Sequence, residues 1–440
     1  MGRRFRFIHA ADLHVDSPFR GLTQAPSHVR SALAESTFDA VRRLSDAAIA
    51  NGVDFIVLAG DLYDEADRSL RAQLTLRREW EKLHAHGVRL FVIHGNHDHL
   101  SGSRAELDWP SNVHIFSSET VEAVPAYTRS GELCAYVHGI SYGSRAVNEN
   151  LASRYRAITD GSYQIALLHG NVDGDASHDP YAPCSLSELA GSSFHYWALG
   201  HIHGRAVLHR DPFVVYAGNT QGRHMKETGA KGCYLVEVAE SGHTELTFLP
   251  LDTIRWAPLA VDIGGMVNEQ QLIHALEGEM IRQSEAQEGR STMLRIMLTG
   301  RGSLHRKLMA PDYTKDLLEA LRSQLGLSEA PASSATSWSW LTSIEVKTGP
   351  ELETGVLEEE ESFAGELYRS VKSMLSSRQG MDELMNDAAS PLLINNRLRR
   401  LLREIAPETA EQLLQDAAEL ALGLVMEEQP GPSVSKEGGG

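Results

Sequence analysis

The chain has 440 residues, 42% of them hydrophobic and 23% charged, too long for one ordinary domain and too apolar for a disordered chain. Its 41 Lys and Arg against 59 Asp and Glu leave a net charge of −18, which excludes a uniformly basic nucleic-acid-binding surface. No apolar run reaches the roughly 18 residues of a membrane span, and three scattered cysteines (Cys134, Cys184, Cys233) indicate neither a disulfide framework nor a Cys-type zinc site, so the expectation is a cytoplasmic protein with no membrane association.

The basic start runs at once into a strand-like segment, Arg6–Ala10, without the apolar stretch of a signal peptide. Ser36–Asn51 reads as a helix with Phe38, Val41, Leu44 and Ala48 on one face and Gly52 as its stop. Val53–Ala59 follows as an apolar run. Leu70–His86 reads as a second helix, with Leu70, Leu74 and Leu83 inward and Gly87 ending it; Val88–His94 is the next strand. Further strands are predicted at Leu133–Val137, Gln164–Leu168 and Tyr196–Leu199. Such runs with helices between them suit strands covered on both faces. From Arg205 to Ile254 the spacing shortens, and Val207–His209, Phe213–Tyr216, Cys233–Val238 and Thr244–Leu249 read as antiparallel strands.

A second region alternates Val261–Ile263, a helix over Asn268–Ile281, a strand at Met293–Leu298, a helix over Tyr313–Leu325 and a strand at Leu341–Val346, with Gly326–Ser337 as a loop. Trp338 and Trp340 read as core anchors of that region. Beyond residue 350 the chain is polar and helical, with amphipathic patterns at Asn395–Glu404 and Glu408–Met426, and it ends in a Pro/Gly/Ser-rich tail that reads as disordered. Residues 351–440 hold 18 acidic and 8 basic side chains, −10 of the −18. The resulting division is 1–257, 258–349, 350–426 and a tail of 427–440.

The chemistry lies at strand ends. Asp12-Leu13-His14 follows the first strand, Gly60-Asp61-Leu62-Tyr63-Asp64 the second, Gly95-Asn96-His97-Asp98 the third, His169-Gly170 a fourth and Gly200-His201-Ile202-His203 a fifth. In α/β sheets, sites form outside the carboxyl ends of the strands, so the five clusters are expected to share one crevice. Asp12, His14, Asp61, Asn96, His169, His201 and His203 offer hard oxygens and imidazoles, suited to Mn²⁺, Fe or Zn²⁺ rather than to the all-oxygen preference of Ca²⁺. Asp-x-His and His-x-His set both ligands on one side of an extended segment. Each piece alone has an ordinary reading as a turn or a bonded polar group; the joint order at five strand ends does not. His9, His94 and His138 read instead as packing groups, and the Asn171–Pro183 loop, with His178 and Asp179, as solvated.

This motif set resembles that of the calcineurin-like metallophosphoesterases over about residues 5–205. Gly60-Asp61-Leu62-Tyr63-Asp64 is similar to the form found in DNA-repair exonucleases of SbcD type, and Val215–His224 with Lys231–Tyr234 to the bacterial YhaO branch. The resemblance implies a four-layer α/β/β/α sandwich, a smaller α+β cap domain and a helical C-terminal region. It implies that Asp12, His14, Asp61 and His203 hold one divalent cation and Asp61, Asn96, His169 and His201 another, Mn²⁺ being the activating ion. His97 is the implied proton donor or transition-state stabiliser, with Asp98 fixing its tautomer. Asp64 stands where some relatives carry a His. The implied activity is metal-dependent exonucleolytic hydrolysis of DNA in repair, 3′ to 5′, with an SMC-like ATPase partner docking after residue 350, and a possible homodimer.

Other readings remain open from the residues alone: a phosphoesterase for small nucleotides or phosphoproteins, and a non-cutting scaffold. Arg223 and His224 suit phosphate contact or an ordinary polar loop. Arg397, Arg399, Arg400 and Arg403 stripe a helix that suits solvent or a partner more than DNA.

Overall fold

Period-two alternation builds the centre of the molecule. In β1 (Phe5–Ala10), Phe5 and Phe7 face one way and Ile8 and Ala10 the other; in β2 (Phe55–Ala59), Phe55, Val57 and Ala59 oppose Ile56 and Leu58. Both faces are therefore buried, against different partners. The computed structural model describes residues 3–19, 24–64, 69–102, 107–174, 179–310, 312–327, 329, 337–351, 354–389, 413–414, 417–418 and 420–425.

The chain continues from β1 through α1 (Ser27–Ala50), β2, α2 (Leu70–Ala85), β3 (Arg89–Ile93), β4 (Val113–Ile115), β5 (Glu122–Tyr127), β6 (Leu133–Gly139), β7 (Tyr163–His169), α3 (Leu186–Ala190), β8 (Tyr196–Gly200), β9 (Ala206–Arg210), β10 (Phe213–Tyr216), β11 (Gly232–Val238) and β12 (Thr244–Pro250). One six-stranded sheet has the order β12-β11-β1-β2-β3-β4, and the other β5-β6-β7-β8-β10-β9. Within each, the central strands run parallel: β1 to β2 to β3 in the first and β6 to β7 to β8 to β10 in the second. Their carboxyl ends consequently gather at one side of each sheet.

Three apolar layers define the sandwich. Phe7, Phe55, Phe91 and Val236 from the first sheet meet Val137, Ile165, Leu167 and Tyr196 from the second. The outer face of the first sheet packs under Phe38, Val41 and Leu44 of α1 and Leu76, Trp80 and Leu83 of α2. The outer face of the second is covered by Tyr155 and by Leu189 of α3. This is the expected four-layer α/β/β/α arrangement.

Several local expectations are corrected. The helix predicted from Ser36 begins at Ser27, after Pro26; Ser36 is buried inside it and donates its hydroxyl to the Leu33 carbonyl at 2.7 Å instead of capping a start. In α2 the inward face is Ala72, Leu76, Trp80 and Leu83, while Leu70 and Leu74 are exposed. Strands β4 and β5 have no counterpart in the predicted elements. The first is three residues long and the second is an edge strand interrupted by Pro125, so neither shows a clear alternation.

The remaining elements are β13 (Ile254–Asp262), α4 (Glu269–Ala286), β14 (Ser291–Arg301), α5 (His305–Leu308), α6 (Tyr313–Gln324), β15 (Ser339–Gly349), α7 (Thr354–Glu359), α8 (Phe363–Leu375) and α9 (Arg378–Ala389). A three-stranded sheet has the order β13-β14-β15. The chain divides into two compact units: Met1–Pro258 with Arg282–Arg295 and Arg322–Thr342, and Leu259–Ile281 with Ile296–Leu321 and Ser343–Gly440. Trp340, expected to anchor the second region, is buried in the first unit with Val29, Leu33, Ile254, Trp256 and Met293, and Trp338 packs against the same cluster. In the second unit, Leu272, Leu276 and Met280 line the buried stripe of α4 at four-residue spacing. No helix among the described residues is long and apolar enough to cross a membrane. The helix predicted at Asn395–Glu404 with its four arginines, His178, the tail 427–440 and nine of the nineteen residues 408–426 lie outside the described residues.

Candidate metal centre

The loops after β1, β2, β3, β7 and β8 converge, all within the first unit. The loop after β1 runs beside the loop after β2: Asp12 N–H donates to the Gly60 carbonyl at 3.0 Å, His14 N–H to that of Asp61 at 3.1 Å and Val15 N–H to that of Leu62 at 2.9 Å. The Asp-x-His segment is not extended as expected. Asp12 and His14 have φ of 51° and 43°, Asp61 51° and His201 95°. Left-handed non-glycine residues cost energy and persist where packing over-determines them, characteristically at functional sites.

Three groups of donors result among the described residues, one of them His14, Asp64 and His97. One ligand atom each from Asp12, His14 and His203 lies within 4.8 Å of the others, and so does one each from Asp12, Asp61 and His169. Asp12 is common to the last two groups, and Asp61 faces an imidazole of each. Its Oδ2 is 3.8 Å from His14 Nε2 and 3.4 Å from His169 Nε2, and its Oδ1 accepts the His97 N–H at 3.0 Å. Asn96 Oδ1 lies 3.0 Å from His169 Nε2. The His201 backbone N–H donates to both Asp12 oxygens, at 3.0 and 3.2 Å, and the His201 ring lies 5.3 Å from that of His169. Its Nε2 meets the Asp179 carbonyl at 2.9 Å, so the loop expected to be solvated touches the site through its backbone. All seven sequence-predicted donors and His97 are thus brought to one place.

The imidazoles are oriented from behind. His169 Nδ1 donates to the Ala59 carbonyl at 2.9 Å, leaving Nε2 for the site. His203 Nδ1 faces Glu227 Oε1 at 2.6 Å, and His14 Nδ1 lies 3.1 Å from Asp64 Oδ1. Both carboxylates are held below the usual range: burial pushes each up, but His203 and Arg223 beside Glu227, and His14 and Arg223 beside Asp64, outweigh it. At His203 the ionised Glu227 carboxylate accepts, so the ring proton sits on Nδ1; His14 Nδ1 is buried near Asp64 without a hydrogen bond to it. The Nε2 atoms of His14 and His203 lie 3.1 Å apart, close enough for one cation to take both. The donor set therefore fits a divalent metal, and the chemistry of the donors fits a first-row ion.

The electrostatics agree. Burial raises the Asp12 carboxyl, against the pull of His203 and His169. Asp61 is held well below the usual range, since His169 and then His14 and His97 overcome its burial. Burial and Arg223 lower His14 to about 3, so it stays neutral. His169 is raised to about 9: burial opposes this, but the Asp61 and Asp12 carboxylates draw positive charge to it. A proton there answers the same demand that a metal ion would.

Glycines make room for these contacts. A Cβ at Gly95 would sit 2.7 Å from His169 Nε2 and collide with the Asp61 carboxylate; one at Gly200 would lie 2.9 Å from His169 Nδ1.

Asp98 does not do what was expected of it. Its carboxylate accepts from the Gly95 N–H at 2.7 Å, the Leu62 N–H at 2.9 Å and His94 Nδ1 at 2.8 Å, which ties the loop after β3 to the loop after β2. His97 Nδ1 instead donates to the Asp64 backbone carbonyl at 2.6 Å. Glu227 had no signal in the strand-end pattern, because it lies between β10 and β11; its only cue is proximity to Arg223 and His224 within the Val215–His224 segment. His9, bonded to Tyr196 at 3.0 Å, and His138, bonded to Gln164 at 2.8 Å, are packing groups.

The fold and the convergent donors define a metal-dependent phosphoesterase. Residues 5–205 match the calcineurin-like phosphoesterase family, and residues 256–349 match the middle domain of the metallophosphoesterase YhaO. The metallophosphoesterase YhaO of Bacillus subtilis is 45% identical over 320 residues, 72% of this chain and 77% of that protein. The DNA double-strand break repair protein Mre11 of Thermoplasma acidophilum is 27% identical over 262 residues, 56% of this chain and 66% of that protein. The Mre11 protein of Sulfurisphaera tokodaii is 27% identical over 206 residues, 45% of this chain and 50% of that protein. The chain belongs to the calcineurin-like metallophosphoesterases, in the group of YhaO and SbcD type.

Proposed function

We propose that this metal-dependent hydrolase is a DNA exonuclease acting in repair, cutting phosphodiester bonds with two divalent cations, Mn²⁺ in the cell. Asp12, His14, Asp61 and His203 would hold one cation, and Asp61, Asn96, His169 and His201 the other. When bound, the cations supply Lewis-acid polarisation of the phosphoryl oxygens and a water acidic enough to act as nucleophile at neutral pH. The protein does the rest. Asp61 binds the His97 N–H and so fixes the loop that carries His97. The Asp64 carbonyl accepts a hydrogen bond from His97 Nδ1–H, which leaves Nε2 to protonate the leaving oxygen when the ring is an imidazolium.

The observation that carries the reading is the joint placement of the seven donors and His97 at one set of strand ends. The choice of DNA is supported by likeness to two proteins named for DNA double-strand break repair. The net charge of −18 is unfavourable for gripping a polyanion unaided, so an SMC-like ATPase partner supplies the clamping, and the isolated chain releases DNA at about 150 mM salt. We assign 1–257 to hydrolysis, 258–349 to a cap domain and 350–426 to partner docking. The match of residues 256–349 to a middle domain and the exposed apolar side chains of α7 and α8 support that division. The three cysteines are free and buried, in keeping with a reducing cytoplasm.

The test is Mn²⁺-dependent hydrolysis of linear DNA beside a small phosphodiester and cyclic nucleotides. Wild type is expected to degrade DNA from its ends. His97→Gln is expected to lower kcat by about 10²- to 10⁴-fold with its metal content unchanged. Hydrolysis of the small esters with DNA left intact would replace this reading by a nucleotide phosphoesterase, and an unimpaired His97→Gln would remove the proton-donor role.

A further inference from the structure

Arg223 lies between β10 and β11 and offers no atom to a cation, yet it touches both sides of one donor group. Its side chain is only 14% exposed. One terminal nitrogen, Nη1, donates to Asp64 Oδ1 and to Ser17 Oγ, the latter at 3.3 Å. The other, Nη2, lies 3.7 Å from Glu227 Oε1 and 3.5 Å from His203 Nδ1. Nε is buried without an acceptor, so the fork makes its polar contacts through its two tips.

Each of those tips meets a carboxylate that stands behind an imidazole. Asp64 Oδ1, which accepts from Arg223, is also the atom 3.1 Å from His14 Nδ1. Glu227 Oε1 is 2.6 Å from His203 Nδ1, and Glu227 Oε2 accepts the Arg223 backbone N–H at 2.6 Å and Asn219 Nδ2 at 3.0 Å. The chain of contacts His14–Asp64–Arg223–Glu227–His203 closes on itself where the two Nε2 atoms face each other at 3.1 Å. The loops it ties together follow β1, β2, β8 and β10. The guanidinium is the group that joins the two ionised carboxylates to each other, since the Arg223 N–H and Asn219 hold Glu227 alone.

We propose that Arg223 is a positioning residue that cross-braces Asp64 and Glu227, so that His14 and His203 present their Nε2 atoms to a single divalent cation. Its action is confined to that one of the two cation positions, because His169 is oriented separately, by the Ala59 carbonyl. The inference rests on the two-cation reading given above. It goes beyond it in assigning a residue and a selectivity.

Geometry and charge make opposite predictions here. A guanidinium beside a cation site repels the cation, so if Arg223 mattered only as a charge, neutralising it would tighten metal binding. If it is a brace, neutralising it loosens one site. Lysine separates the cases again, since an ammonium keeps the charge but is a single point that cannot span both carboxylates.

The experiment is Mn²⁺ titration of the cation-free full chain by calorimetry and by electron paramagnetic resonance, for wild type, Arg223→Gln and Arg223→Lys. Wild type is expected to take two ions. Both variants are expected to bind one ion as wild type does and the other about 10- to 100-fold more weakly, the range usual for groups that orient a ligand. Tighter or unchanged binding at both positions in Arg223→Gln, or wild-type binding in Arg223→Lys, would overturn the brace. A wild type that takes fewer than two ions would sink the two-cation reading instead, which keeps the two failures apart. Should Arg223→Gln fail to fold, Glu227→Gln keeps side-chain shape and must weaken the same single site; wild-type affinity in that variant would overturn the proposal equally.

Discussion

The sandwich and the helices after residue 350 use their apolar side chains in opposite ways. Phe55 is 0% exposed, stacks 5.2 Å from Phe7 and meets Phe91 edge-on at 5.6 Å. Phe363, at the start of α8, is 65% exposed. The first kind of packing leaves a strand no freedom, and the residues just beyond β1, β2 and β8 adopt φ between 43° and 95° on four donor-bearing positions. Such conformations cost about 1–3 kcal/mol each, and only a rigid surround keeps them populated. The second kind leaves apolar area open to a partner. The contrast teaches where each job can be done: the strained donor positions need over-determined strand ends, and the exposed helix faces would serve the partner docking proposed above.

That contrast can be broken from either side. The largest effect is expected from Asp61→Ala, which removes the carboxylate assigned to both proposed cations. Several kcal/mol of charge stabilisation at about 1.4 kcal/mol per tenfold corresponds to a rate loss of about a thousandfold. Metal analysis and hydrolysis assays should show the loss of both ions together with activity, and retention of either ion at wild-type affinity would contradict the shared position. Next comes Phe55→Ala, expected to cost about 3–5 kcal/mol in chemical denaturation; a cost below 1 kcal/mol would mean that the inter-sheet core does not support the site as argued.

A smaller effect is a pH dependence. Burial holds His9 neutral with its pKa lowered to about 3, the Leu199 carbonyl opposing, against an ordinary value of 6.5. Between those values the unfolded chain takes up a proton that the folded chain refuses. Stability should therefore fall as pH falls from about 6.5 towards 3. Denaturation curves of His9→Gln should show a shallower fall over this window, and parallel pH profiles would show that His9 does not contribute. The smallest effect is expected from Phe363→Ser, within about 0.5 kcal/mol of wild type. A large loss of stability there would erase the difference between the two regions.

Much of the fold was readable in advance, for identifiable reasons. Phe38, Val41, Leu44 and Ala48 were placed correctly because a helical stripe repeats locally. The start of α1 was placed at Ser36, whereas the helix begins at Ser27 and Ser36 is buried within it, bonded to the Leu33 carbonyl. In α2, Leu70 and Leu74 looked like a stripe, but Ala72, Leu76 and Trp80 face the sheet; two overlapping apolar series cannot be ranked without knowing what lies opposite. At the site, Asp12, His14, Asp61, Asn96, His169, His201 and His203 were all visible as polar residues immediately following buried strands. The role first given to Asp98 was wrong because adjacency in sequence suggested a partner for His97, whereas the turn aims the carboxylate back at Gly95, His94 and Leu62.

What the amino-acid order determined by itself is the central strands, the residue types at their ends and hence the class of chemistry, because alternation and adjacency are properties of short stretches. Only the folded arrangement decided that Asp64 stands behind His14, that Glu227 stands behind His203 and that Arg223 joins them across 159 positions of chain. Those partners come from loops whose proximity depends on the order of strands in two sheets, and no local pattern encodes which loop will face which.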